Sequence, residues 1–209
     1  SGIFGINTDA SAKMLYEFIK KHLTIGDAEI MDLDEELYRK GQWNIKLFGI
    51  AKGIVEPTYV QVGKTTFESV SDDAIKDELA DHILDEIELN KDFLYLFGSG
   101  GTIDYIAKKL RIKNTLLGID AVYNKKALKN DLNEKDILKI LEKYPKVKVL
   151  LSPIGAQGFI LGRGNLQLSP LVIRKIEIDN IIVISTPSKL ASTPFIRVDT
   201  GDKKLDLLF

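Results

Sequence analysis

The sequence predicts an α/β protein, with a parallel sheet and crossover helices in its C-terminal half and a small β-rich unit in its N-terminal half. Three observations carry this. After Asn90, apolar runs without polar alternation (FLYLF, TLLGIDAV, VKVLLSPIG, IIVIST) are separated by helix-forming stretches, as a sheet covered on both faces requires. Between residues 28 and 68 the rhythm is instead one of short β-favouring runs, AEIMDL, WNIKLFGIAKGI and TYVQVGKTTF, broken by Gly41, Gly49, Gly53, Pro57 and Gly63. Helical spacing flanks that unit on both sides, so the chain divides into residues 1–90 and 91–209.

In order, Thr8 or Asp9 can cap a first helix whose apolar face is Met14, Leu15, Phe18, Ile19 and Leu23, ending near Thr24-Ile25-Gly26. Ser71-Asp72-Asp73 caps a second, with Ile75, Leu79, Ile83 and Ile87 on its buried side. FLYLF then leads through Gly98-Ser99-Gly100-Gly101-Thr102 into the helix TIDYIAKKL. TLLGIDAV leads to a helix near 133–144, capped by Asn133 with acidic residues in its first turn. VKVLLSPIG runs through a long loop to PLVIRKI, and IIVIST to a last stretch ending in RVDTGD. Trp43, Phe48, Tyr59 and Phe67 fall at strand positions, where core packing is expected.

Composition narrows the function classes. Lys and Arg number 29 against 30 Asp and Glu, so no global field draws in nucleic acid or an anionic membrane. No apolar stretch is long enough to span a bilayer and the N-terminus lacks the regions of a secretory signal, so a cytoplasmic protein is expected. Zero cysteines exclude disulfides, thiolate metal sites and thiol catalysis, and His22 and His82 lie too far apart in sequence to suggest a metal site. The Ile/Lys/Glu-rich composition is of a thermophile kind. The chain opens at Ser1 without methionine inside an apolar run, which reads as the start of a fragment.

In open α/β sheets ligands bind beyond the carboxyl ends of the strands. The expected strand ends place the 98–102 loop, Gly118-Ile119-Asp120, the segment from Ser152 and Ser185-Thr186-Pro187 on one edge. Gly98, Ser99, Gly100, Gly101 and Thr102 can offer backbone N–H groups and two hydroxyls to an anion at a helix N-terminus. They can equally form a tight corner in which glycines supply positive φ and Thr102 caps the helix. Neither a P-loop Lys-Ser/Thr pair nor GxGxxG is present.

Residues 152–170, SPIGAQGFILGRGNLQLSP, point more directly to a ligand. A segment with so little side-chain surface to pack is costly to order. Gly155, Gln157, Gly158, Arg163, Gly164 and Asn165 are therefore candidate phosphate or nucleotide contacts, with Arg163 able to grip a phosphate bidentately. Asp120 is a candidate general base or Mg²⁺ ligand, its alternative being a turn carboxylate. Asp131, Asp199 and Asp202 are further candidate ligands, the last two alternatively an Asx turn. Lys108, Lys109, Arg111 and Lys113 read as a solvated helix end.

Taken together, SGIF, GSGGT, TLLGIDAV, DLNE, SPIGAQGFILGRGNLQLSP, NIIVISTPSKL and RVDTGD resemble the predicted ATP-NAD kinase family in its AcoX-like branch. The resemblance covers nearly the whole chain, with IGAQGFILGRGN followed by LSP its most specific part. It implies phosphoryl transfer from ATP or another donor to the NAD ribose, with ATP, NAD and Mg²⁺ as cofactors. GSGGT is not the GGDGT motif of NAD kinases, which belongs to an N-terminal domain, so the resemblance implies the C-terminal portion of a longer protein. It also implies a largely β domain where strand–helix alternation predicts α/β. FLYLFGSGGTIDYIAKKL is similar, too, to the phosphate-binding start of phosphosugar isomerases and sugar-phosphate sensors. Two further readings therefore stay open: a phosphosugar-binding domain, and a noncatalytic module in which residues 28–68 pair subunits of a homo-oligomer.

Overall fold

The computed structural model describes residues 5, 8–23, 25–40, 45–54, 73–154, 158–193 and 195–209. The chain falls into two compact units, Ser1–Thr66 with Gly155–Gln157, and Phe67–Ile154 with Gly158–Phe209.

In the first unit, helix α1 (Thr8–Ile19) is followed by strand β1 (Ile25–Leu33), helix α2 (Glu35–Arg39) and strand β2 (Ile45–Ile54). The two strands pair antiparallel, Ile25 opposite Ile54, with a bulge between Ile30 and Met31. The expected β-rich unit is thus present over its first two runs; the third, TYVQVGKTTF, lies outside the described residues, as do Trp43, Tyr59 and Phe67. Two details differ from the sequence reading. Helix α1 stops at Ile19 rather than near residue 24, because Lys21 turns to a φ of 61° and the β-branched Ile25 opens β1. Phe48 is 58% exposed, so its strand face is not a core face among the described residues.

The second unit contains a five-stranded sheet flanked by helices. Its strands are β3 (Leu94–Phe97), β4 (Asp120–Tyr123), β5 (Lys126–Lys129), β6 (Val147–Leu151) and β8 (Ile181–Val183), in the order β5-β4-β3-β6-β8. Strands β3, β6 and β8 are parallel, connected by crossovers, while β4 and β5 form an antiparallel hairpin against β3. A two-stranded parallel sheet joins β7 (Phe159–Leu161) to β9 (Arg197–Val198). Helices α3 (Asp73–Leu89), α4 (Gly101–Lys109), α5 (Glu134–Lys143), α6 (Pro170–Ile176), α7 (Pro187–Ser192) and α8 (Lys203–Asp206) complete it.

All four residues of β3 are buried, and the period of two explains how. Leu94 and Leu96 point into one core with Ile137 of α5, Val172, Ile173 and Ile176 of α6 and Leu205 of α8. Tyr95 and Phe97 point into the other, with Ala80, Ile83 and Ile87 of α3 and Ile103, Ile106 and Ala107 of α4. Helices on both faces are why the strand carries no polar alternation.

The second apolar run behaves differently from its expected form. TLLGIDAV does not end a strand at Asp120 but starts one there, after a turn closed by the Gly118 N–H on the Thr115 carbonyl. Asn124 and Lys125, at φ of 48° and 58°, then reverse the chain into β5. That is the two-residue positive-φ hairpin turn, made here without the usual glycine. Because β4 is antiparallel, its beginning pairs with the end of β3, Phe97 opposite Asp120, so Asp120 still reaches the predicted edge.

Candidate functional site

The site is built where β3, β6 and β8 end. Gly98 continues the β3 ladder by donating its N–H to the Leu150 carbonyl at 2.9 Å. A Cβ there would meet Leu151 Cδ2 at 2.7 Å, so only glycine lets the strands run this close. The Ser99 hydroxyl donates to the Gly164 carbonyl at 3.0 Å. Gly100 has a φ of 114°, donates its N–H to the Leu116 carbonyl at 2.8 Å, and occupies the N-cap position of α4. Lacking a side chain, it cannot cap the helix, and a Cβ built on it would meet nothing within 4 Å among the described residues. The first-turn N–H groups of α4 thus lack the caps that Ser169 gives α6 and Thr186 gives α7.

Thr102 is not the cap that one reading of the sequence makes it. Gly100 already holds that place, and Thr102 sits in the first turn, 1% exposed. Its Oγ1 accepts from the Lys189 ammonium at 3.4 Å, and the same ammonium donates to Ser152 Oγ at 3.0 Å. Ser152, 3% exposed, directly follows β6. Lys189 is absent from the sequence-derived candidates. Its signal was Thr186-Pro187 after IIVIST: a capping threonine and a proline at the first helical position start α7 at the strand end, and Lys189 lies in its first turn.

The second glycine segment is more structural than its composition suggests. Gly158 and Gly162, at φ of 72° and 95°, flank β7, and a Cβ on either would collide with a backbone carbonyl, of Phe195 or Asp199 respectively. These glycines let β7 lie against β9. The Arg163 guanidinium stacks 5.2 Å from the centre of the Phe159 ring. Gly164, at φ 84°, reaches the first loop through its carbonyl. Asn165 is 2% exposed; its amide donates to the Ile160 carbonyl at 2.5 Å, while its buried Oδ1 has no hydrogen-bond partner among the described residues. Gly155 and Gln157 lie outside the described residues. The following LSP is a helix start, with Ser169 accepting from the Val172 N–H and Pro170 opening α6.

The candidate carboxylates separate. Asp120 is 0% exposed, and its two oxygens accept from the backbone N–H groups of Thr115 and Asp131. This is the geometry of a brace between the turn before β4 and the return from β5. Asp131 is exposed, at φ 52°, and joins the brace through its backbone. Asp202 caps α8 by accepting from the Lys204 and Leu205 N–H groups and pairs with Arg174 at 2.5 Å. The Arg174 guanidinium, and after it the Leu205 N–H, holds its carboxyl below the usual carboxylate range. Asp199 is half-buried at the end of β9, where its backbone bonds the Leu161 carbonyl. In the basic cluster, Lys108 pairs with Asp104 at 2.6 Å and Lys109 with Asp77 at 2.9 Å. Among the described residues no group of three or more His, Cys, Asp and Glu gathers to hold a metal.

Residues 90–209, more than half of the chain, match the family described as the ATP-NAD kinase C-terminal domain. The chain belongs to that family. No curated protein matches it, and no solved structure does. The matched span takes in every element of the edge just described, from β3 and α4 to α7. The family's α/β character here follows from the crossovers of β3, β6 and β8, so strand–helix alternation, and not the largely β domain that the resemblance implies, describes this chain. No helix among the described residues is long and apolar enough to cross a membrane.

Proposed function

We propose that this chain is the nucleotide-binding C-terminal part of an ATP-NAD kinase-like phosphotransferase, and that it takes the phosphates of ATP or NAD at the sheet edge formed by residues 98–102, 152 and 164. The observation that carries the reading is the α4 N-terminus. Gly100 leaves it without a side-chain cap and, among the described residues, with nothing within 4 Å of where a Cβ would stand, which is where an anion is favoured.

Phosphoryl transfer asks little covalent chemistry of a protein; it asks for positioning and for charges that match those developing on the phosphoryl oxygens. The first-turn N–H groups of α4 would bind and orient a phosphate, and the Ser99–Gly164 bond would hold the two glycine segments in register around it. ATP and NAD fit this donor set. Mg²⁺ does not fit as a protein-held ion: the edge presents N–H groups, hydroxyls and an ammonium, which suit an anion, and the nearby Asp120 oxygens are engaged. No step is therefore assigned to a metal.

Calorimetric titration of the chain with NAD, ATP and ribose 5-phosphate, each with and without Mg²⁺, tests the proposal. Binding of ATP or NAD supports it. Binding of ribose 5-phosphate alone would transfer the site to the phosphosugar reading, and silence from all three would leave the chain a noncatalytic module.

A further inference from the structure

We draw no further inference here: the strongest candidate, the buried Asn165 side chain in the segment between β7 and α6, whose Oδ1 has no hydrogen-bond partner among the described residues, carries no ligand site, because its amide braces the Ile160 carbonyl within that same segment and nothing among the described residues directs the oxygen toward a cavity or the α4 edge.

Discussion

The Ser99 hydroxyl donates to the Gly164 carbonyl at 3.0 Å, tying together two glycine segments that are 65 residues apart in sequence. Ser99→Ala removes the donor while leaving both backbones free to form. Because Gly164 is exposed, water can partly replace the lost bond, and the expected destabilisation is about 1 kcal/mol. Urea unfolding measures it. Nucleotide affinity should fall as well, since the segments are no longer held together; a variant unchanged in both would detach this bond from the site.

Gly162→Ala should cost more stability than Gly100→Ala, although both positions have positive φ. At 100 the added methyl meets nothing, so backbone strain of about 1 kcal/mol is the whole effect. At 162 it also collides with the Asp199 carbonyl and must push β7 from β9, for a total of roughly 3 kcal/mol or more. Paired thermal or urea melts settle the order.

Asp120→Asn is expected to act on stability first. The carboxylate accepts from two backbone N–H groups, and an amide would turn its own NH₂ toward one of them, costing about 2–3 kcal/mol. A stable Asn variant that has lost activity would instead make Asp120 a catalytic group.

Glu177 has a φ of 69° and ψ of 145°, a region that glycine adopts far more readily than other residues. Glu177→Gly should therefore stabilise the chain, by about 1 kcal/mol, in contrast to most glycine substitutions. A lower melting temperature would show that the Glu177 side chain contributes more than its backbone costs.

Burial, and then the Glu86 carboxylate, push the Tyr95 phenol well above the usual tyrosine range. The sign follows: a raised folded value favours the neutral phenol, so its contribution is complete below the ordinary value of 10.0 and is lost as pH rises above it. Tyr95→Phe should flatten the alkaline fall in stability above that pH, read from denaturant midpoints. An equally steep fall in the variant would assign it to other groups.

Much of this architecture was legible because it is local. Asn133 followed by Glu134 and Asp136 specifies a capped helix, and the buried side of α3 repeats at helical spacing through Ile83 and Ile87. The glycine loop was recognisable, too, as a strand-to-helix corner on a ligand edge. What sequence did not disclose depends on partners far along the chain. Asn124-Lys125 takes a hairpin turn without glycine, so β4 reads as one more parallel strand. Gly158 looks like a ligand-approach glycine until β9 is laid against β7. Nothing local marks Lys189, since only the fold brings α7 beside Thr102 and Ser152.

The most direct measurement is amide-shift mapping of the isotopically labelled chain during titration with ATP. Phosphate binding at the sheet edge predicts the largest shifts at Ser99, Gly100, Gly101 and Thr102, with smaller ones at Ser152 and Gly164, and none in the hairpin strand β5. Shifts centred away from these residues, or saturation by adenosine with the same pattern and affinity, would contradict it.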